Sequence, residues 1–167
     1  STPKHVLEYR AFGWEPPLFG HLALILGKDR TKLSKRHGAT DILTYRDRGY
    51  LPEAMVNFLA LLGWSPPEDL RGEKREILSR EELIQLFDLD RIGVTPSVFD
   101  TEKLDWMNGY YIRQLSVDEL AERIVPFLQK AGLLAADPLP PEQISYVRQI
   151  APLIRERLKL LSEAPAL

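Results

Sequence analysis

The chain has 167 residues, with 22 Lys and Arg against 24 Asp and Glu for a formal net charge of -2, and it is 44% hydrophobic and 28% charged. That balance describes a folded globular chain and excludes both a disordered polymer and wholesale coating of nucleic acid, although a local basic contact stays open because salt screens distant charge. With no cysteine, disulfides and thiolate metal sites are excluded, and His5, His21 and His37 lack a ligand-like spacing, so no metal site is expected within the chain.

Thr2 and Pro3 suit the cap and first position of a helix running from Lys4 to Phe12, which Gly13 ends. A chain that opens flush at a helix cap, on Ser1 rather than methionine, suggests residues upstream. Pro16 and Pro17 break the chain. His21 to Leu26 then forms a short, almost continuously apolar run, the pattern of a strand buried on both faces in a parallel sheet, with no partner strand evident. The run is far too short to span a bilayer and no secretory leader pattern precedes it, so no membrane partner and a cytoplasmic home are expected. Gly27 to Ala39 is a basic loop punctuated by glycine.

Thr40 is the expected cap of a helix running through Arg48, with Gly49 as its stop. Pro52 opens the next helix, which gathers Met55, Phe58, Leu59 and Leu62 on one face before Gly63. Trp64 to Leu78 is loop. Ser79 with Glu82, and Ser116 with Glu119, are capping boxes that open helices toward Phe87 and Gly132; Asp100 caps a helix through Ile112. Pro126 is expected to kink the helix it interrupts. After a linker from Asp137 to Pro141, a last helix is expected from Glu142 to Leu161. The fold class is therefore mostly α with a small α/β remnant, and no internal repeat is evident.

The chemistry concentrates in one loop. Lys28, Arg30, Lys32, Lys35 and Arg36 crowd it, opposed only by Asp29, and Lys32-Leu33-Ser34-Lys35-Arg36 directly follows the apolar run and precedes His37 and Gly38. A charge cluster alone is as often a solvated turn. The order is more specific, and it resembles the second signature motif of class I aminoacyl-tRNA synthetases in its glutamyl-tRNA synthetase form. Ser1 to His5 with Tyr9 to Trp14, Leu51 to Ala54 with Asn57, Leu59, Gly63 and Trp64, and Phe99-Asp100 with Leu104, Trp106, Met107, Asn108, Tyr111, Ile112 and Arg113 resemble the same family. The likeness is good from Ser1 to about Leu115 and weaker beyond.

That resemblance implies three parts. Residues 1–36 would be the C-terminal piece of a Rossmann-type catalytic domain carrying the signature loop, 37–115 a stem-contact fold, and 116–167 the start of a helical anticodon-binding domain. It implies ATP as substrate, accompanied by Mg, with Lys32 and Lys35 as catalytic cations, Lys35 the first choice, and Lys32, Leu33, Ser34, Lys35 and Arg36 as the ATP-binding stretch. Glutamate would reach the site through the parent enzyme. The tRNA for glutamate would be the macromolecular partner, touched by Arg46, Arg48, Lys103, Asn108 and Arg113; Trp106 and Met107 are expected in the core. The other class I signature, His-Ile-Gly-His-like, is not in these residues, so this chain alone is expected to be inactive, and its apolar strand, parted from a sheet, favours self-association. Two alternatives stay open: a non-catalytic tRNA-binding or interaction module, and a shortened paralogue that glutamylates a modified base of an aspartate tRNA, against which the helices after Ser116 argue. Glutaminyl-tRNA synthetase is a further relative, disfavoured by the same helices.

Overall fold

The computed structural model describes residues 2–38, 41–68, 75–135 and 138–167. Seven α-helices are arranged along the described chain: α1 (Thr2–Ala11), α2 (Ile42–Asp47), α3 (Pro52–Leu61), α4 (Arg80–Leu86), α5 (Thr101–Gln114), α6 (Val117–Lys130) and α7 (Pro141–Ile154). Two short strands, β1 (Ile25–Leu26) and β2 (Ser97–Val98), pair in parallel. The expected class, mostly helical with a small α/β remnant, is what folds.

Local signals explain most helix ends. Ser79 and Ser116 each accept a hydrogen bond from the backbone N–H three residues on, while Glu82 and Glu119 accept one from the cap's own N–H, so both boxes close. The Asp100 carboxylate accepts from Glu102 N. Thr40 lies outside the described residues; Asp41 caps α2 through Leu43 N. Gly13, Gly49 and Gly132 hold left-handed φ just after their helices, the conformation a side chain resists. At Gly49 the demand is also steric, because a Cβ there would sit 2.6 Å from Leu161 N.

Three apolar clusters hold the elements together. Leu51 and Ala54 of the α3 entrance meet Ile112, Leu120, Ile124, Val147, Leu158 and Leu161, so α3, α5, α6, α7 and the C-terminal segment share one core. Tyr45, Tyr50, Phe58, Leu104 and Met107 form a second, and Trp64, Leu78 and Leu83 a third. Two buried asparagines stitch backbone between them. Asn57 accepts from Leu78 N at 3.0 Å, and the Tyr111 hydroxyl lies 2.9 Å from Asn57 Oδ1 and 2.7 Å from Leu78 O, donating to one at a time. The Tyr50 hydroxyl donates to Asp105, and burial raises its pKa.

Four expectations change. The strand expected over His21–Leu26 narrows to Ile25–Leu26, and Leu22 and Leu24 are 74% and 55% exposed rather than buried on both faces. Its partner strand exists after all: β2, too short and too close to Pro96 to stand out as a strand. Trp106 is half exposed while Met107 is buried, since α5 turns Leu104, Met107, Asn108 and Ile112 inward. The last helix stops at Ile154; a 3-10 turn (Arg155–Arg157) follows, and the chain then folds back so that Leu158, Leu161 and Ala164 bury against the first core. The α6 helix runs on through Pro126.

One ion pair joins two of these elements. Arg123 of α6 donates to both carboxylate oxygens of Glu53 in α3, at 3.0 and 2.8 Å. The guanidinium hydrogen bond holds the Glu53 carboxyl below the usual carboxylate range, against a partial opposing effect of burial. A depressed folded pKa gives stability that is present above the unfolded value and lost as pH falls through the folded one. Both side chains keep solvent access, so Glu53→Gln is expected to cost only about 0.5–1 kcal/mol at pH 7. The gap to wild type should begin to narrow below about pH 4.3 and shrink further as pH falls through the lowered folded value. Urea unfolding at pH 7 and pH 3 checks this; an equal gap at both would contradict it.

Candidate nucleotide-binding loop

The basic loop is a hairpin built on β1. Gly27 N donates to Thr31 O and Arg30 N to Gly27 O, both at 2.9 Å, closing the tip, while the Asp29 carboxylate accepts from Thr31 N at 3.0 Å and from its hydroxyl at 2.9 Å. Arg30 takes a left-handed φ of 61°, the turn position glycine usually fills. The return arm pairs antiparallel with β1: Lys32 sits across from Leu26, and Leu33 N donates to Ile25 O at 2.9 Å. On the other edge of β1 lies β2, extended by Phe99 N donating to Leu26 O at 2.8 Å. Two residues of strand are thus hydrogen-bonded on both sides, so the return arm leaves a fixed base.

Lys35 to His37 form a single 3-10 turn immediately after that arm, and Gly38 follows at φ 103°. Leu33 and Ser34 are half-buried, whereas Lys32, Lys35 and Arg36 are exposed. Among the described residues, none of these three cations has a carboxylate partner. Lys28 differs. Its ammonium donates to Glu102 Oε1 at 2.6 Å and lies 3.6 Å from Asp100 Oδ1. The hydrogen bond to Glu102 raises its pKa. The geometry therefore sorts the crowded cations: one is engaged by protein carboxylates, and the stretch from Lys32 to Arg36 presents positive charge outward from a pinned arm. Such a stretch suits a polyanion whose charge grows during reaction.

The residues expected against tRNA are each engaged in local contacts. Arg46, on α2, is held by neighbouring Asp47 at 2.9 Å, and the Arg48 guanidinium lies over the Tyr50 ring, 5.6 Å from its centroid. Lys103 and Arg113 lie ten residues apart on α5, about 15 Å along its axis; Lys103 pairs with Glu76 at 2.5 Å, and Arg113 is half-buried along its own helix beside Gly109. Asn108 is a correction. It is fully buried, its Oδ1 accepting from Leu51 N at 2.7 Å and its Nδ2 donating to Lys159 O at 2.6 Å and Gly49 O at 3.3 Å. Its amide is spent inside the protein, on three backbone groups. The carboxylates of Asp100 and Glu102, which hold Lys28 in the hairpin tip, were not evident as site residues because their partner is 74 positions away in the case of Glu102.

Residues 1–106 match the family described as tRNA synthetases class I (E and Q), catalytic domain, and the chain belongs to that family. Its relatives narrow the branch. It is 52% identical over 163 residues to a glutamate–tRNA ligase of Dehalococcoides mccartyi and 51% identical over 164 residues to that of Aquifex aeolicus, matches that cover 98% of this chain and 32% and 33% of those proteins. A glutamate tRNA ligase from Elizabethkingia meningosepticum in complex with its amino acid superposes with a TM-score of 0.72 at 33% identity, over 97% of this chain and 34% of that one. A glutamate-tRNA synthetase from Elizabethkingia anophelis gives 0.74 at 33% identity, over 96% and 34%. The chain thus spans about a third of the length of these relatives.

Proposed function

We propose that this chain is the part of a glutamate–tRNA ligase that grips the triphosphate of ATP and leads into the tRNA-facing helices. In the reaction, a glutamate carboxylate oxygen attacks the α-phosphorus, the bond to the bridging oxygen of the β-phosphate breaks, and pyrophosphate departs with the electron pair. A terminal ribose hydroxyl of the glutamate tRNA then attacks the acyl carbon and AMP leaves. Lys32 and Lys35 neutralise charge on the departing phosphates, an attraction that grows toward the transition state and so raises the rate. Leu33, half-buried, ties the stretch to β1 through its N–H, and Ser34 and Arg36 complete the phosphate-facing run. Mg enters with ATP as its counter-ion.

The carrying observation is the exposure of Lys32 on a hairpin arm pinned to β1 and of Lys35 and Arg36 in the 3-10 turn that follows it. Residues 1–36 are assigned to the end of the catalytic domain, 37–115 to the stem-contact fold and 116–167 to the start of the anticodon-binding helices. Arg46, Arg48, Lys103 and Arg113 are assigned to phosphates of the stem, fixing register without reading bases. A cytoplasmic setting accompanies this reading, and among the described residues no helix is long and apolar enough to cross a membrane. Self-association of the isolated chain is supported by the exposure of Leu22 and Leu24.

The test is glutamate-dependent exchange of pyrophosphate into ATP by the full-length parent polypeptide. Exchange with glutamate, and not with other amino acids, is the expected result. Its absence in the presence of the cognate tRNA sinks the reading.

A further inference from the structure

The crowded loop contains one cation whose role differs from the others. We propose that Lys28 is a positioning residue: it bolts the tip of the hairpin onto the N-terminus of α5, so that α5 sets the place from which Lys32 and Lys35 reach the nucleotide. The proposal rests on the ligase reading above for its catalytic consequence, though the bolt itself is a matter of geometry.

The need for such a bolt follows from how little holds the loop. The sheet beneath it is two strands of two residues each, joined in parallel and flanked on the other edge by the short return arm at Lys32 and Leu33, a pairing far below the size at which sheets are stable alone. Phe99 N donating to Leu26 O adds one bond at its end. Lys28 stands two residues past that bond and reaches across to Glu102 Oε1 at 2.6 Å and Asp100 Oδ1 at 3.6 Å.

Those two acids are well placed to hold it. Asp100 is the cap of α5, accepting from Glu102 N at 3.0 Å, and Glu102 lies in the first turn, so both carboxylates sit at the end where the helix dipole favours negative charge. Two carboxylates in one turn repel each other, and an ammonium between them relieves that repulsion. The far part of α5 is anchored in the core, where Asn108 ties it to Leu51 N and Lys159 O. The tether therefore runs from the loop to the helical body.

Turning Lys28 toward a phosphate would break its hydrogen bond to Glu102 and leave Asp100 only its bond from Glu102 N. The pairs are solvent-exposed, at 54% for Lys28, 83% for Glu102 and 46% for Asp100, so they contribute little to overall stability. Their effect should fall on loop placement: the KM for ATP rises while the stability of the fold barely moves.

The experiment is a charge swap in the full-length parent, comparing Lys28→Glu, Glu102→Lys and the double variant. Lys28→Glu is expected to raise the ATP KM in pyrophosphate exchange by about fivefold to tenfold, attraction being replaced by repulsion. The double variant should return to within about twofold of wild type, because the pair is rebuilt with its signs reversed. Backbone hydrogen exchange at Gly27 and Leu33 should accelerate in Lys28→Glu and recover in the double variant, a readout independent of activity. If Lys28 instead gripped phosphate, reversing Glu102 would not rescue its loss. An unrescued double variant, or an unchanged exchange rate at Gly27 and Leu33 in Lys28→Glu, overturns the proposal. A parent that shows no exchange of pyrophosphate but does show the rescued amide pattern keeps the bolt and refutes the ligase reading.

Discussion

On the proposed ligase reading, Lys35→Ala in the full-length parent is expected to slow glutamyl-adenylate formation about a hundredfold or more, the scale of removing one preorganised group that stabilises developing charge. The side chain is exposed at the start of a 3-10 turn and engages no carboxylate among the described residues, so truncating it should leave the fold intact. The loss must then appear in catalysis. If the ammonium acts mainly on the departing pyrophosphate, kcat and kcat/KM fall together; a rise in KM alone would mean that it binds ground-state ATP uniformly. Lys35→Arg keeps the charge but spreads it over a planar fork, and only partial recovery is expected. Pyrophosphate-exchange rates within a few-fold of wild type for Lys35→Ala would remove the basis for assigning this loop to ATP.

Asn108→Ala is expected to destabilise the chain by about 3 kcal/mol, roughly a 6–12 °C fall in midpoint for a domain of this size. Truncation orphans Leu51 N at the entrance of α3 and Lys159 O in the returning C-terminal segment, both inside the core, and leaves a void where the amide was. Gly49 O fares better, since Leu161 N still donates to it at 3.1 Å. Asn108→Asp should not rescue: it restores the acceptor for Leu51 N but sets a buried carboxylate against the Lys159 carbonyl. Thermal unfolding of wild type and variants decides the matter. A midpoint within about 2 °C of wild type, coupled to weakened tRNA binding, would return Asn108 to the RNA surface and contradict its buried position.

The contrast between Lys35 and Asn108 shows where a linear reading works. Lys32 to Arg36 are contiguous, so their order and charge can be read together before any folding is considered. The caps are equally local: Ser79 needs only Glu82, Ser116 only Glu119, and Asp100 only the N–H two residues on, all within one turn of chain. The glycine stops after α1, α2 and α6 follow from a backbone conformation that side chains disfavour. The mostly helical class, the positions of most helices and the family resemblance came from such short-range terms.

What tertiary structure alone decided involves partners far apart in the chain. The amide of Asn108 looks like any surface polar group until Leu51 and Lys159, 57 and 51 positions away, close around it. Lys28 is one of several loop cations until Glu102 meets it across 74 positions. The strand partner of Ile25 and Leu26 is a two-residue segment with no propensity signal of its own, and the last helix stops at Ile154 although its pattern invites continuation. In each case the deciding free energy is burial or pairing between distant segments, and it outweighs local preferences of a few tenths of a kcal/mol per residue. Residue order therefore determined which groups carry the charge, and the folded chain determined which of them are left to use it.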